Sequence, residues 1–566
     1  MNTSKALVEI LEESNINFIF GHPGEQILPF YKALNTSKIK HILCKNEQGA
    51  AMAADAYARS SGNFGTCLAT AGPGALNMVM GIATAFKDHV PMLVITGDVP
   101  NSFKANNTFQ DVDLVSIFEP ITIKTFNPHN GKTAILNIKE AIEILTKDPR
   151  GPVHLNLPKD VLLDEDIGKS IKKKINFTPN YDYSNIDLVI EKLEIAKKPL
   201  IILGAGIRWS KTSEDIKTLL NKYDVPIATT YHGNGIIENN NKLNLGMVGV
   251  RGTSIANFVF KNSDLILVLG ASLNERTLNV DNKPLTELSD IFREYKSKII
   301  HVNIDKSSLK GKINVHGDIK EVLNYFKNND GIFSNISTEW INGIYKNHFE
   351  DEDKYGHNNN VQIKDKSIKI GKNDVETNKN LLKPQIAIKT ILNNYQNSYI
   401  VNDAGSHTTW VTLFWEPNEG GQLVYSGGMA PMGYGLPGAI GVSIANPERK
   451  VGVIVGDGGI QMNIQELATI FEYNLPITIF LLNNSQLGII RQWEKLFYDM
   501  DPYEVNLENP NFVEIANAYH IDSKRVFTKN ELDIAIDEIK NYKKPFLIEI
   551  LVDEEDIPLP GNLKKK

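Results

Sequence analysis

Short apolar runs rich in β-branched residues recur along the chain, and each run ends in a glycine turn followed by a longer segment with helical spacing. Near the start of the chain "FIFGHPG" leads to "ILPFYKAL", in which Ile27, Phe30, Tyr31 and Leu34 share one helical face. Strands that alternate with helices in this way pair in parallel on one sheet. The pattern therefore predicts the α/β class, with doubly wound parallel sheets.

The same rhythm occurs in three separate blocks, and 566 residues are too many for one hydrophobic core. We predict an N-terminal domain over residues 1–170, a central domain over 185–326 and a C-terminal domain over 381–556. Residues 327–380 are polar, rich in asparagine and lysine, and show little periodicity. This composition predicts a long polar linker.

Charge and composition argue against several classes of protein. The chain has 60 Lys and Arg against 67 Asp and Glu, so its net charge of −7 does not favour nucleic acid as a partner. No uncharged apolar run reaches the roughly 18 residues of a membrane span, and glutamates at positions 9, 12 and 13 do not fit a signal peptide. Only Cys44 and Cys67 are present, which fits a reducing compartment. We expect a cytoplasmic protein.

Polar residues follow two neighbouring strands of the third block. "GDGG" at 456–459 comes after the run Val453–Val455, and "NN" at 483–484 comes after Ile477–Leu482. A right-handed crossover brings both strand ends to one edge of the sheet, so Asp457 and Asn484 should lie close together. Carboxylate and amide oxygens suit Mg²⁺, and the glycines allow backbone N–H groups to approach an anion. The pair predicts a metal–diphosphate site, although each motif alone is also typical of an ordinary turn.

Asp457 and Asn484 stand 27 positions apart, and this spacing resembles the signature of the thiamine-diphosphate enzymes, in which GDG is followed by NN after such an interval. The resemblance implies a glutamate in another domain that hydrogen-bonds the pyrimidine ring of the cofactor. Glu47, where a strand gives way to a helix, matches it. A poorly solvated carboxylic acid there could move a proton onto the ring nitrogen. The alternative is that Glu47 only stabilises the helix N-terminus.

Over nearly the whole length apart from the linker, the chain resembles the catalytic (large) subunits of acetolactate (acetohydroxyacid) synthase. The stretches that carry this resemblance are "GHPGEQILPFYKAL", "NEQGAAMAADAYARSSG", "ATAGPGALN", "PMLVITGDVP", "GPVHLNLPKDV", "MGYGLPGAIG" and "GIIRQWEKLFY". The resemblance implies a pyrimidine-binding, a central and a diphosphate-binding domain, in that order. It further implies a homodimer or dimer of dimers with each site between two subunits, and it leaves a small regulatory subunit open.

The resemblance also implies roles for individual residues. Magnesium would be bound by Asp457, Asn484 and the backbone oxygen of Gln486. The residues expected around the diphosphate are Gly405, His407, Gly458, Gly459 and Gly488. Met432 would hold the cofactor in its bent shape, although core packing is the commoner role of methionine. The pyrimidine side would be lined by Pro23, Pro73 and Asn77. Gln110 and Trp493 would face the substrate, although Trp493 also suits a core.

The implied reaction is the decarboxylation of pyruvate and ligation of the hydroxyethyl group to a second 2-oxo acid, with acetolactate as product, as in branched-chain amino acid biosynthesis. The chain departs from the usual "PGGA" with "PGEQ", which places Glu25 and Gln26 near the expected substrate pocket, and it has Ala71 where a serine is usual. These departures leave open another thiamine-diphosphate decarboxylase or carboligase with a different acceptor.

The central domain leaves the question of FAD open. Its "GAG" turn at Gly204–Gly206 follows a strand, but a lone GxG is weak evidence for a dinucleotide. In place of the "RFDDR" stretch of flavin-containing synthases the chain reads "GASLNERT", in which only Arg276 corresponds. A nicotinamide dehydrogenase would leave Glu47 and the GDG and NN pair unexplained. The presence of Glu47 also argues against a non-catalytic homologue.

Overall fold

Three six-stranded sheets, parallel throughout, organise the chain. The computed structural model describes residues 1–566 except 105–106, 168–179, 239–240, 242, 282–292, 347–365, 371–372, 378–380, 419, 555–556 and 558–566. Buried apolar side chains cover both faces of each sheet, because parallel strands joined by helices are enclosed on two sides. The predicted α/β class with three doubly wound domains is confirmed.

The N-terminal sheet has the strand order β2-β1-β3-β4-β6-β5. Its strands are β1 Phe18–Gly21, β2 Lys40–Leu43, β3 Gly65–Ala69, β4 Met92–Asp98, β5 Lys124–Phe126 and β6 Pro152–Pro158. Its α-helices span Thr3–Glu13, Leu28–Leu34, Glu47–Ser61, Pro73–Asn77, Val79–Lys87, Leu114–Phe118, Gly131–Leu145 and Lys159–Leu163. Short 3₁₀ turns cover Glu25–Ile27, Asn101–Phe103 and Glu119–Ile121. The strand order places the ends of β1, β2 and β3, and so Glu47, at one sheet edge.

The central sheet has the strand order β12-β11-β10-β7-β8-β9. Its strands are β7 Pro199–Leu203, β8 Ile227–Thr229, β9 Asn244–Met247, β10 Leu265–Leu269, β11 Ile299–Asn303 and β12 Ile313–His316. Its α-helices span Ile186–Ile195, Gly206–Trp209, Ser213–Lys222, Ser254–Asn262, Glu275–Leu278 and Ile319–Lys327, with 3₁₀ turns at Tyr231–Gly233 and Lys306–Ser308.

The core of the central domain continues past residue 326, where the sequence predicted a linker. Phe333, Trp340 and Ile344 are buried in it, because apolar side chains recur there among the polar ones. The structure thus corrects the start of the predicted linker. Of the remainder, residues 347–365 lie outside the described part of the chain, and β13 Lys366–Ile370 pairs antiparallel with β14 Asn373–Thr377.

The C-terminal sheet has the strand order β16-β15-β17-β18-β20-β19. Its strands are β15 Tyr399–Asn402, β16 Gln422–Val424, β17 Val451–Gly456, β18 Ile477–Asn483, β19 Asp522–Val526 and β20 Phe546–Leu551. Its helices span Pro384–Asn394, His407–Phe414, Gly435–Ala445, Asp457–Ile460, Glu466–Glu472, Gly488–Phe497, Phe512–Ala518 and Lys529–Glu538.

The N- and C-terminal domains share one buried apolar cluster. The Glu47–Ser61 and Gly435–Ala445 helices meet so closely that a Cβ on Gly441 would lie 2.0 Å from the carbonyl oxygen of Ala53. Arg59 adds a buried ionic junction, donating to Asp55 at 2.7 Å and to Asp88 at 2.8 Å. Tyr434 of the C-terminal domain donates to the same Asp55 at 2.6 Å. The two domains are therefore joined by both close packing and buried polar contacts.

No helix in the described ranges is long and apolar enough to cross a membrane.

Candidate active site

Asp457 and Asn484 lie at neighbouring strand ends, as the crossover predicts. β17 and β18 pair in parallel with Gly456 opposite Leu482, Asp457 begins the following helix, and Asn484 comes directly after β18. Both residues line a cavity of about 930 Å³ that is bordered by the C-terminal, central and N-terminal domains. The juxtaposition expected from the sequence is therefore present in the fold.

Asp457 is only 3% exposed, and its Oδ2 accepts a hydrogen bond from Asn509 Nδ2 at 2.7 Å. Burial raises the pKa of this carboxyl to about 6, against the lowering effect of the Asn509 hydrogen bond. A bound cation would favour the charged form, since an opposite charge nearby offsets the cost of desolvation. The surroundings of Asp457 therefore suit a metal ligand.

The two adjacent asparagines point to opposite sides, as successive residues of a strand do. Asn483 faces the protein interior, where its Nδ2 donates to the buried Glu549 at 2.8 Å and its Oδ1 accepts from Asn509 at 3.0 Å. Asn484 lines the cavity, and its Oδ1 accepts from the backbone N–H of Gln486 at 3.2 Å. Only the second asparagine is available to a ligand.

Gln486, expected to bind magnesium through its backbone oxygen, also lines the cavity. Its Oε1 is buried and has no hydrogen-bond partner among the described residues, which is a costly state for an amide oxygen. The preceding Ser485 has a φ of +55°, a left-handed conformation uncommon outside glycine. This segment therefore holds both an unsatisfied acceptor and a strained backbone beside Asp457.

Glycines keep the backbone around this site free of side chains. A Cβ on Gly458 would lie 2.8 Å from Leu487 Cδ2 and 3.2 Å from Met432 Cε, and one on Gly405 would lie 2.6 Å from the His407 ring. His407 donates through Nε2–H to the Asp403 carbonyl oxygen at 3.1 Å, and burial lowers its pKa to about 4. The ring is therefore neutral at physiological pH. Of the residues predicted from the sequence, those that line the cavity are Gly405, His407, Met432, Asp457, Gly458, Gly459, Asn484, Gln486, Gly488 and Trp493.

Glu47 lies in a different place, at the first position of the Glu47–Ser61 helix. Its side chain is 9% exposed, and Asn77 Nδ2 donates to its Oε2 at 2.9 Å. A Cβ on Gly74 would lie 3.1 Å from its other oxygen. Glu466 of the C-terminal domain supports this helix start, because its buried carboxylate accepts from the backbone N–H groups of Lys45 and Asn46 at 3.0 and 3.1 Å.

The single chain does not bring the two predicted halves of the site together. Among the described residues, the cavity lining includes none of the N-terminal candidates Glu47, Pro23, Pro73, Asn77 and Gln110. Pro23, Pro73 and Asn77 are exposed, while Gln110 has a φ of +64° and packs against the Gly72 turn. The predicted substrate residues are divided in the same way, with Trp493 in the cavity and Gln110 outside it.

The unusual "PGEQ" turn has its charge compensated. Lys159 Nζ lies 3.0 Å from Glu25 Oε1, and the Glu25 side chain is 65% exposed. Gln26 is buried, its backbone N–H donates to Thr70 Oγ1 at 3.2 Å, and its Oε1 has no partner among the described residues. The glutamate therefore extends toward solvent as half of an ion pair.

The central domain contributes a second wall of the cavity. Its lining residues include Gly206, Ser272, Asp305 and Arg276, which follow β7, β10 and β11 along the chain. Ligands of open α/β sheets commonly occupy such strand ends. The cavity is long enough to include both this region and the surroundings of Asp457.

Sequence reasoning missed Asn509 and Asp403. Asn509 orients Asp457 from a loop 52 positions along the chain, and nothing in its local sequence marks it. Asp403 ends up fully buried just after β15. Its "VNDAG" context, a carboxylate beside a glycine at a strand end, is the same kind of signal that identified Asp457.

In the described part of the chain, no three His, Cys, Asp or Glu side chains gather into a metal-binding cluster. Magnesium does not require one, because it is commonly held by one or two carboxylates together with substrate phosphates and waters. One buried carboxylate beside an amide and backbone oxygens remains a suitable arrangement.

All three domains match descriptions of the thiamine pyrophosphate enzymes. Residues 1–117 match the N-terminal TPP binding domain, residues 186–326 the central domain and residues 403–550 the C-terminal TPP binding domain.

Several curated proteins are similar to the chain over nearly its whole length. A probable acetolactate synthase large subunit of Methanococcus aeolicus is 36% identical, covering 98% of this chain and 92% of the relative. The acetolactate synthase large subunits of Cyanidium caldarium and Lactococcus lactis are 35% and 33% identical, covering 97% and 98% of this chain and 92% and 93% of the relatives. Together with the three matched domains, these similarities show that the chain belongs to the thiamine pyrophosphate enzymes, in the family of the acetolactate synthase large subunits.

Proposed function

We propose that the protein is an acetolactate synthase that depends on thiamine diphosphate and magnesium. It would decarboxylate pyruvate and join the two-carbon unit to a second 2-oxo acid. The observation that carries this proposal is the pair Asp457 and Asn484 at adjoining strand ends of one cavity, within a chain of this family. The family and the cavity together favour this function over an unrelated decarboxylase.

The proposed magnesium would be held by Asp457, Asn484 and the backbone oxygen of Gln486. The buried Asp457 carboxyl and the unsatisfied oxygen on Gln486 fit a cation and its water. The glycines and the N-terminus of the Gly488–Phe497 helix would receive the diphosphate through backbone N–H groups. When bound, thiamine diphosphate supplies the nucleophilic carbon and the electron sink for decarboxylation.

Glu47 would act on the pyrimidine ring as the proton donor and acceptor. Asn77 fixes one of its carboxylate oxygens at 2.9 Å, and Asn46 caps the helix on which it stands by accepting from Gln48 N–H. A carboxyl held in this way can exchange a proton at a defined atom. The role of the protein is to orient the cofactor, exclude water and move this proton.

The proposal is tested by incubating the purified protein with pyruvate, magnesium and thiamine diphosphate and identifying the products. Acetolactate is expected. Acetaldehyde as the sole product would indicate a simple decarboxylase instead, and a failure to release carbon dioxide from any 2-oxo acid would refute a decarboxylating function altogether.

We further propose that two copies of the chain complete each site, with the Glu47 half facing the Asp457 half of a partner. Both halves carry exposed apolar side chains that such contact would cover. Leu76 and Met80 are 40% and 43% exposed on one side, and Met429 and Met462 are 50% and 52% exposed on the other. A closed homodimer gives two identical sites of this kind.

Mixing two inactive variants tests this arrangement. In a dimer of Glu47→Gln with Asp457→Asn, one of the two sites has both halves intact. A 1:1 mixture that exchanges subunits should therefore recover about a quarter of wild-type activity, since half of the dimers are mixed. No recovery, with subunit exchange verified, would place both halves of each site in one chain.

For the central part of the cavity we infer a nucleotide site with FAD as its candidate ligand. The strand-end lining and Arg276 support it. The flavin would be structural, and no catalytic step is assigned to it. A yellow purified protein whose absorbance is released by denaturation would support FAD, whereas a colourless protein that gains no flavin on incubation would count against it.

The remaining partners follow the family. Because the relatives are named large subunits, we also propose a small regulatory subunit as a partner. The two cysteines are free and buried, which fits a cytoplasmic enzyme. Because Lys159 compensates the negative charge of Glu25, we propose that the "PGEQ" turn does not prevent a 2-oxo acid from binding as the acceptor. Product analysis with pyruvate and with 2-oxobutanoate as acceptors would test this.

A further inference from the structure

The turn that follows Met432 is bound to a buried carboxylate. Asp403 is 0% exposed and lies just after β15. Its side chain accepts from the backbone N–H groups of Ala404 at 2.6 Å, Gly433 at 3.0 Å and Gly435 at 3.3 Å. Among the described residues, these donors are all main-chain groups, so the carboxylate fixes backbone and not a movable side chain.

The turn itself has little freedom to move. Gly433 has a φ of +84°, and a Cβ there would lie 2.8 Å from Met462 Cβ. Asn463 Nδ2 donates to the Gly433 carbonyl oxygen at 2.8 Å from the other side. The backbone of Gly433 is therefore hydrogen-bonded at both its N–H and its C=O.

Asp403 also touches the "GDGG" segment. A Cβ on Gly459 would lie 3.0 Å from its Oδ2, so the carboxylate lies between the turn and the glycines of the diphosphate half-site. Met432 lines the cavity, and its Cε lies 3.2 Å from the position of a Cβ on Gly458. The methionine and the glycines are thus positioned relative to one another through Asp403.

We propose that Asp403 is a positioning residue for the reaction, because it fixes the turn that sets where the Met432 side chain meets the bound cofactor. This inference rests on the proposed function, since it takes thiamine diphosphate as the ligand. Hydrogen bonds to a carboxylate are roughly twice as strong as those between neutral groups. Asparagine in its place would offer one acceptor oxygen and one NH₂ group, which cannot accept from the turn.

The test compares wild type with Asp403→Asn by three measurements. These are the affinity for thiamine diphosphate, the near-ultraviolet circular dichroism of the bound cofactor, which reports how its rings are held, and the separate values of kcat and KM. We expect the variant to bind the cofactor but to lose most of the dichroic signal. We expect kcat to fall roughly 100-fold, as for a misplacement of about 1 Å, with KM for pyruvate changed much less.

Two further variants make the test specific. Met432→Ala should lose the same dichroic signal, and the double variant should be little worse than either single one, because both act through one contact. Asp264→Asn removes a carboxylate that accepts from the backbone N–H groups of Lys197 and Lys198 in the central domain, away from the cavity lining. It should leave the dichroic signal and kcat unchanged.

The inference would be overturned if the Asp403→Asn variant folds, binds the cofactor and shows the wild-type dichroic signal. It would also be overturned if the losses of kcat in the two single variants add fully in the double variant. If Asp403→Asn does not fold, Asn463→Ala loosens the same turn from the carbonyl side, and a normal signal in that variant would overturn it equally. A wild-type protein that binds no thiamine diphosphate would instead refute the proposed function, so the two failures are distinguishable.

Discussion

Neighbouring residues of identical type serve different purposes in this site. Asn483 completes a buried network with Glu549 and Asn509, while Asn484 faces the cavity. The alternation of a strand decides which is which, since successive side chains point to opposite faces. Residue type alone therefore does not identify a ligand at this strand end.

This division predicts opposite results for two alanine variants. Asn484→Ala should weaken magnesium binding by at least about tenfold while leaving thermal stability nearly unchanged. Asn483→Ala should lower the free energy of unfolding by about 1–3 kcal/mol, because Glu549 loses a buried donor. Metal titration and denaturant unfolding of both proteins measure these effects, and the reverse pattern would show that the two residues have been assigned wrongly.

The Glu47 carboxyl gives a second prediction at the residue scale. Glu47→Gln should retain cofactor binding and lose about 10²–10⁴-fold in kcat, because amides do not transfer protons in this way. Asp187→Asn is a matched control, since it removes an acidic residue from the first turn of the Ile186–Ile195 helix without touching the site. If both variants lose the same small amount of stability and both keep the wild-type kcat, then Glu47 acts only as a charge that stabilises its helix N-terminus.

At the scale of elements, the N- and C-terminal domains are joined where the Glu47–Ser61 and Gly435–Ala445 helices cross. Gly441→Ala would place its Cβ 2.0 Å from the Ala53 carbonyl oxygen, so the helices must separate. We expect a loss of about 1–3 kcal/mol in unfolding free energy. Gly343→Ala, a helical position with nothing within 4 Å of the added Cβ, should be neutral or stabilising by up to about 1 kcal/mol. Comparable destabilisation of both variants would argue against a close crossing.

The fold and part of the site were predictable from the sequence because both depend on local pattern. The runs that became β17 and β18, with polar residues just past them, indicated where Asp457 and Asn484 would lie. Asn509 and Asp403 act across long separations on backbone or side-chain atoms that no spacing reveals. The extension of the central core to Phe333, Trp340 and Ile344 was missed because those side chains are scattered among polar residues. In the arrangement we propose, the Glu47 and Asp457 halves meet only across a contact between two chains, which a single sequence does not specify.

At the scale of the whole molecule, buried neutral histidines should govern the response to acid. Burial lowers the pKa of His41, His301 and His407 to about 4 and that of His154 to about 3. Below about pH 6.5 the unfolded chain binds protons that these folded rings do not, so stability falls as the pH falls. Asp403 and Asp457, whose pKa values are raised to about 7 and 6 by burial, oppose this in part because the folded state binds their protons.

His301→Gln isolates one of these contributions. His301 is hydrogen-bonded to the Ala271 carbonyl at 2.7 Å and accepts from Lys310 N–H at 3.1 Å, and glutamine can form both contacts without titrating. Between about pH 6.5 and 5, wild type should lose stability faster than the variant, by a slope that approaches about 1.4 kcal/mol per pH unit. Urea unfolding at several pH values measures the two slopes, and equal slopes would contradict the assignment.

Two buried carboxylates hold backbone amides on either side of the site. Glu466 accepts from Lys45 and Asn46 beside Glu47, and Asp403 accepts from the turn after Met432. Added ions weaken pairs between exposed charges such as Lys45 and Glu472, but they screen buried contacts much less. The geometry on both sides of the site should therefore be insensitive to ionic strength, and a protein assembled this way can keep its functional conformation across large changes in salt concentration.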